Sequence, residues 1–123
     1  MGTITRFEEI EAWQTARKLT QTVYKISAQG AFARDYGLRE QMRRAAVSIL
    51  SNIAEGFESR TGRLFIDYLG RAKGSSGELR AQAYVAHDAG YLTSDKLDAL
   101  RRECEKCSGQ IGGFLSYLNR LDR

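Results

Sequence analysis

Two cysteines are the side chains whose type and spacing most directly suggest chemistry. Cys104 and Cys107 form a Cys-x-x-Cys motif, a spacing that can serve thiol redox chemistry or supply half of a zinc site. A structural zinc ion needs four ligands, however, and the chain has a single histidine, His87. Both cysteines also fall on the apolar face of a predicted helix. We therefore predict that they fill the core as small hydrophobic residues and that the chain binds no metal ion.

The remaining candidates for catalysis are few. His87 is followed by Asp88, but no nucleophile lies at a spacing typical of a catalytic triad, so a helix-surface histidine is expected. Glu55 and Glu78 are conceivable as an acid and base pair or as carboxylate ligands of a di-metal site. Such sites in helical bundles use Glu-x-x-His repeats, which this sequence lacks. We therefore predict that the protein is not an enzyme and needs no cofactor.

Positive charge is the other feature with chemical meaning. The net charge is +4, and residues 34–80 hold nine Lys and Arg against six Asp and Glu. Clustered guanidinium groups attract nucleic-acid phosphates through charge and counterion release. The candidate contacts are Arg39, Arg43, Arg44, Arg60, Arg63, Arg71 and Lys73. The alternative is a solvated face whose basic side chains have local partners such as Glu40.

The elements that must position these residues are helices. The chain has no proline, and apolar residues recur at spacings of three and four rather than two. Helices are predicted at about 11–29, 38–58, 61–90 and 94–121, with Thr61 as the N-cap of the third and Gly90 at its end. Short connections favour antiparallel neighbours. We expect an all-α, up-and-down antiparallel four-helix bundle that forms one domain over residues 1–123.

Apolar stripes predict which faces of the helices form the core. The inward face of the first helix is assigned to Trp13, Ala16, Thr20, Val23 and Ser27. The fourth helix carries a heptad seam of Leu97, Leu100, Cys104, Cys107, Ile111, Phe114, Leu118 and Leu121. The run Gly74-Ser75-Ser76-Gly77 in the third helix is interpreted as a tight helix crossing. A phosphate-binding loop is the alternative, but it would follow a strand, and none is predicted.

Some apolar residues lie off these stripes. Val47 and Leu50 in the second helix, and Ile66 and Tyr84 in the third, are candidates for a second apolar surface. We expect this surface to form a homo-oligomer interface, because a monomeric bundle has no use for a large exposed apolar patch. Scattered surface hydrophobic residues are the alternative interpretation.

No apolar run of the length that spans a bilayer is present, and the first ten residues do not resemble a secretion signal. Two cysteines in a chain with its own core also do not form a disulfide framework. We expect a cytoplasmic protein that does not associate with membranes.

The most specific motif is the stretch RAAVSILSNIAEGF at residues 44–57. It closely resembles the signature of the four-helix-bundle proteins encoded within intervening sequences of bacterial 23S rRNA genes. Further matches are Trp13, Gln14, Ala16, Asp35, Gly37, Leu38, residues 65–69, 72–75 and 77–79, and Gly90 to Leu92. The resemblance covers roughly residues 7–120. Many members have proline at the position of Leu50, so we expect a straighter second helix here.

The resemblance implies a four-helix bundle, often assembled as a ring-like homopentamer, with no known catalysis. The chain is also similar to the accessory proteins of diversity-generating retroelements, which are basic pentamers that bind nucleic acid and a reverse transcriptase. Asn52, Glu55 and Gly56 match the family signature and are interpreted as structural. We expect Asn52 and Glu55 to bond to a neighbouring helix, with Lys73 as a possible partner. A binding role for these two polar residues is the alternative.

These observations together predict a non-enzymatic, homo-oligomeric four-helix bundle, a pentamer by resemblance. It is expected to bind RNA or DNA through a basic surface on its second and third helices. The alternative is a protein-interaction scaffold or accessory subunit that binds a larger protein and has no direct contact with nucleic acid.

Overall fold

A computed structural model describes residues 3–59 and 61–121, which form four α-helices and two short 3-10 helices. The α-helices are α1 Glu11–Ile26, α2 Tyr36–Glu58, α3 Gly62–Asp88 and α4 Ser94–Leu121. The 3-10 helices, Phe7–Glu9 and Gly30–Arg34, precede α1 and α2. The prediction of an all-α four-helix bundle is therefore confirmed. α2 runs without interruption through Leu50.

The helix ends follow from local chemistry. The Thr61 hydroxyl accepts a hydrogen bond from the Leu64 amide at 3.1 Å, which caps α3 as predicted. At the other end of α3, Gly90 has a φ of +86°, a left-handed conformation that costs glycine least. That conformation lets the Tyr91 amide donate to the Ala86 carbonyl at 2.9 Å. The chain therefore reverses sharply into α4.

Each helix packs against its neighbours in sequence, and α1 also packs against α4 to close the bundle. The α2–α3 pair shows the antiparallel arrangement. Ser48, near the middle of α2, contacts Ser75, at the middle of α3, with 2.9 Å between their hydroxyl oxygens. Gly56, near the end of α2, lies against Phe65, near the start of α3.

The core matches the predicted stripes with two differences. On α4, Leu97 to Ile111 are buried, but Phe114 and Leu118 are only partly buried and Leu121 is 64% exposed. The predicted seam therefore ends early, and Phe114 packs at the rim of the core, where its ring centroid lies 5.4 Å from that of Phe65. On α1, the buried face is Ala12, Thr15, Ala16, Leu19 and Val23.

The predicted inward face of α1 is correct for Ala16, Val23 and Ser27, which are buried, and wrong for Trp13 and Thr20. Trp13 lies at the rim of the core, where its ring meets Phe7 edge to face with 5.2 Å between ring centroids. Thr20 is also only partly buried, and its hydroxyl donates to the Ala16 carbonyl of its own helix at 2.8 Å.

The interpretation of residues 74–77 as a tight crossing is correct for the serines and wrong for the glycines. Ser75 contacts α2, and the Ser76 hydroxyl donates to the Cys104 carbonyl of α4 at 3.0 Å. Gly74 and Gly77 are exposed, and a Cβ at either position would meet nothing within 4 Å. The glycines therefore face outward, away from the bundle.

The close helix approach is instead at Gly56. A Cβ at this position would lie 2.7 Å from the Cβ of Tyr68 and 2.9 Å from Cδ1 of Phe65. The Tyr68 Cβ cannot withdraw easily, because it is fixed to the α3 backbone. The structural role predicted for Gly56 is thus explained by contact between α2 and α3.

None of the helices within residues 3–59 and 61–121 has both the length and the apolar composition needed to cross a bilayer.

We predict that Gly56→Ala lowers the free energy of unfolding by about 1–3 kcal/mol, because the added methyl group forces α2 and α3 apart. Gly109→Ala is the matched control, since Gly109 is also inside a helix but has open space at its Cβ position. The control should be neutral or stabilising by up to ~1 kcal/mol. Urea denaturation of both variants checks this. Equal stability of the two variants would contradict a close approach at Gly56.

Candidate nucleic-acid interface

The candidate basic residues do not form a single surface. Arg39, Arg43 and Arg44 lie on the first half of α2, whereas Arg63, Arg71 and Lys73 lie on the first half of α3. Because α2 and α3 are antiparallel, Arg43 and Arg63 are near opposite ends of the bundle, about 25 Å apart at 1.5 Å per residue. Arg60 lies outside the described residues. The structure thus divides the predicted surface into two groups.

Arg39 is largely engaged with its surroundings. Its Nη1 donates to the Ala33 carbonyl at 2.8 Å, and its Nη2 lies 3.3 Å from a carboxylate oxygen of Glu40. The guanidinium also lies over the Tyr36 ring, 4.7 Å from the centroid. The charge of Arg39 is therefore compensated locally, as the alternative interpretation of the basic residues expected.

Arg43 is held in place, but no carboxylate compensates its charge. Its Nε donates to the Ser27 hydroxyl at 2.9 Å, and its guanidinium lies 4.5 Å from the centroid of the Tyr24 ring. Within residues 3–59 and 61–121, no carboxylate lies within 4.0 Å of it. Arg44 is exposed one residue further along α2. The two arginines line a shallow depression together with Tyr24, Glu40, Val47 and Ser48.

The basic residues of α3 point in different directions. Arg63 is exposed near the start of the helix. Arg71 lies over the Tyr68 ring, 5.0 Å from the centroid. Lys73 leans towards α4, where its Cε would be 3.6 Å from a Cβ at Gly112. The α3 group is therefore spread around the helix.

Tyrosines beside these arginines were missed in the sequence. Tyr36 precedes Arg39 by three residues and Tyr68 precedes Arg71 by three, a spacing that places the side chains of a pair on one side of a helix. This spacing was a usable signal. The pairing of Tyr24 with Arg43 joins α1 to α2, so no local pattern could have indicated it.

The comparisons identify the family. A family model described as 23S rRNA-intervening sequence protein matches residues 8–113. The chain belongs to this family. It is also similar to a protein with unknown function from the S23 ribosomal protein family of Bacteroides thetaiotaomicron, whose crystal structure superposes with a TM-score of 0.78 at 14% identity. That match covers 85% of this chain and 95% of the other and shows a shared fold. No curated protein matches the chain.

In this intervening-sequence protein, the polar signature residue Asn52 makes different hydrogen bonds from those predicted. The Asn52 amide donates to the Ser48 carbonyl at 2.8 Å and to the Ser48 hydroxyl at 3.0 Å, both within α2. The Ser48 hydroxyl then meets Ser75 of α3. Asn52 is thus bonded, but it reaches the neighbouring helix through Ser48 rather than through Lys73, which leans towards α4.

Glu55, the second polar signature residue, is exposed. Within the described residues it has no hydrogen bond or ion pair, so the predicted bond to a neighbouring helix is wrong for this residue. Its place on the outer side of α2 follows from the burial of Gly56 beside it.

The four candidate interface residues of the intervening-sequence protein occupy two faces. Val47 lines the depression with Tyr24, so it lies on the α1 side of α2, and Leu50 is partly buried against the core. Ile66 and Tyr84 are eighteen residues apart, which is five full turns, and share a different face, on α3. The single flank expected from the sequence is therefore divided between α2 and α3.

The cysteines of the intervening-sequence protein lie in the core, as predicted. Cys104 and Cys107 are buried, and the Cys107 Sγ lies 3.6 Å from the Ala12 carbonyl oxygen. Burial raises the pKa of each thiol to about 12, so both are protonated at neutral pH. Within the part of the chain that the structure describes, no group of three or more metal-ligating side chains occurs.

We predict that stability falls at high pH because of these thiols. An unfolded cysteine loses its proton near pH 9, whereas the folded thiols hold theirs to about pH 12. The folded state therefore binds more protons in this window, and the free energy of unfolding should fall by about 1.4 kcal/mol per pH unit for each thiol. Urea denaturation between pH 8 and 11, in steps of about one unit, measures the slope.

The control for this prediction is Cys104→Ala/Cys107→Ala, in which every other titratable side chain remains. Its slope against pH should be clearly shallower. An unchanged slope would show that the thiols are not responsible.

Proposed function

We propose that this intervening-sequence protein is a non-enzymatic, self-assembling bundle in the cytoplasm that binds RNA or DNA through basic residues of α2 and α3. One observation carries the nucleic-acid part: five candidate basic residues have no carboxylate within 4.0 Å inside residues 3–59 and 61–121. They are Arg43, Arg44, Arg63, Arg71 and Lys73.

Two arginines at the contact between α3 and α4, in contrast, share a carboxylate partner. Arg80 lies 3.2 Å from a carboxylate oxygen of Glu105, and Arg101 lies 3.0 Å from the other oxygen of the same side chain. Within residues 3–59 and 61–121, the arginines paired with a carboxylate are Arg39, Arg80 and Arg101, whereas the five candidate residues named above keep an uncompensated charge. Such charge gains most from phosphate, because binding releases condensed counterions from the nucleic acid.

We predict that Arg43→Gln/Arg44→Gln weakens nucleic-acid binding and reduces the salt dependence. In fluorescence anisotropy with a labelled RNA or DNA, the slope of log affinity against log salt should decrease by about one for each phosphate that the variant no longer binds. The matched control is Arg80→Gln/Arg101→Gln, which removes the same charge from a paired cluster. The control should retain the wild-type slope.

Absence of wild-type binding at low salt would overturn the nucleic-acid role. An equal loss in both variants would show that only net charge matters and that α2 carries no site.

The outer face of α3 supports self-assembly. Gly70, Gly74 and Gly77 are exposed with open space around them, and Val85 continues the same face with 54% exposure. Glycine in an exposed helix costs about 1 kcal/mol relative to alanine, a cost that close packing of a second helix offsets. Ile66 and Tyr84 border this face, so they remain interface candidates. A pentamer is the assembly that the family resemblance implies.

We predict that Gly74→Gln disrupts the assembly without unfolding the bundle. Glutamine has a higher helix propensity than glycine, its Cβ would meet nothing within 4 Å at this exposed position, and a closely packed second chain would clash with the added side chain. Light scattering should return an oligomer mass for wild type and a monomer mass for the variant. Gly109→Gln is the matched control in α4 and should keep the wild-type mass. A monomeric wild type would overturn the self-assembly proposal.

The same α3 face favours a second candidate function, a scaffold that binds a larger protein. Six exposed residues of this face carry no charge, which suits a protein interface better than a phosphate backbone: Gly70, Gly74, Gly77, Ala81, Tyr84 and Val85. Salt separates the two functions, because phosphate binding weakens steeply with salt and an apolar interface does not.

A further inference from the structure

The arginine and tyrosine pairs at one end of the bundle form a compact cluster. We define the Arg–Tyr cluster as Tyr24, Tyr36, Arg39 and Arg43. Each arginine covers part of one ring at 4.5–4.7 Å, yet Tyr24 remains 45% exposed and Tyr36 64% exposed. A tyrosine ring that is open to solvent beside a guanidinium group offers a flat surface on which a planar ligand can stack.

Hydrogen bonds hold the two arginines of the cluster in position. Arg43 is anchored by Ser27, which is itself fully buried, and Arg39 is anchored by the Ala33 carbonyl. Both anchors belong to the segment between α1 and α2. Because the guanidinium planes are already positioned, a ligand that stacks on the cluster does not have to order them.

Tyr36 is positioned by the residue before it. The Asp35 side chain accepts a hydrogen bond from the Leu38 amide at 3.1 Å, which caps α2, and another from the Tyr91 hydroxyl at 2.8 Å. Tyr91 also stacks on Phe32 with 5.0 Å between centroids. The start of α2 is therefore tied to the α3–α4 turn, and the place of Tyr36 is defined by the tertiary structure.

The two pairs are neighbours in space. Arg39 and Arg43 are four residues apart on α2, so their Cβ atoms are about 5–6 Å apart on one side of the helix. The Tyr36 pair and the Tyr24 pair therefore lie side by side, and Arg44 projects from the next position. This gives two aromatic platforms with a cation beside them.

This arrangement favours unpaired bases over a duplex. Bases in a duplex are stacked on each other and hide their faces, whereas bases of a single strand can stack on aromatic rings and on guanidinium planes. The guanidinium groups of Arg39 and Arg43 lie along the rings and are held by protein acceptors, so they are not free to reach into a groove.

We propose that the Arg–Tyr cluster binds two adjacent unpaired bases of a single-stranded nucleic acid by stacking, with Arg44 on the neighbouring phosphate. This inference rests on the proposed nucleic-acid function and specifies its ligand class. A purely structural role, in which the Tyr24–Arg43 pair only joins α1 to α2 and the Tyr36–Arg39 pair only stabilises the start of α2, makes the opposite prediction for the variants below.

The test compares an unstructured single-stranded RNA of about twelve nucleotides, its DNA equivalent and a duplex of the same length, each fluorescein-labelled, by anisotropy at fixed salt. Wild type should bind either single strand more tightly than the duplex. Tyr24→Leu/Tyr36→Leu should weaken single-strand binding by about 10-fold or more, because neither ring remains for a base to stack on. Duplex binding and the salt slope should not change, because no charge is removed.

Tyr24→Phe/Tyr36→Phe is the matched control, which keeps the rings and removes only the hydroxyl groups. It should bind the single strand like wild type. Arg43→Lys keeps the charge but loses the planar group, and should weaken single-strand binding with an unchanged salt slope. Thermal melts of all variants establish that each is folded.

The outcomes separate this inference from the function on which it rests. If the leucine variant binds the single strand like wild type while Arg43→Gln/Arg44→Gln loses binding, stacking is overturned and phosphate binding stands. A wild type that binds the duplex as tightly as the single strand also overturns the base-stacking site. If wild type binds none of the three probes, both the nucleic-acid function and the stacking site are overturned.

Discussion

The packing of α3 between α2 and α4 is the constraint on which the rest of the structure depends. Glycines at positions 70, 74 and 77 make α3 a weak helix by itself, so its helicity must come from burial of its apolar face. Leu69, Leu79 and neighbouring alanines supply that burial. Gly56 of α2 then allows the two backbones to approach closely, and hydroxyl pairs such as Ser48 with Ser75 satisfy the polar groups left between the helices.

This packing also determines which charged side chains are paired. α3 and α4 face each other through Arg80 and Glu105, so their charges cancel locally. The neighbours of α2 offer hydroxyl, carbonyl and aromatic groups to Arg43 instead of a carboxylate. A net charge of +4 therefore says less about binding than the distribution of partners does.

The side chains most able to do chemistry are buried or hydrogen-bonded. Its thiols are buried and protonated, its histidine lies at the end of α3 with Nε2 3.3 Å from the Ser94 hydroxyl, and its polar signature residue Asn52 is bonded within the core-facing side of α2. The surfaces left over are the Arg–Tyr cluster and the outer face of α3. The cluster lies on α1 and α2, and the glycine face lies on α3.

The sequence by itself determined the four helices, most of their ends and most of the core, because helical periodicity, caps such as Thr61 and the left-handed Gly90 are local properties. Its motif also determined the family. Only the tertiary structure decided that Trp13 lies at the rim, that the α3 glycines face outward, and which arginines lie beside a carboxylate. Each of these depends on atoms distant in sequence, as when α1 brings Tyr24 to Arg43, and no periodicity within one helix records such a contact.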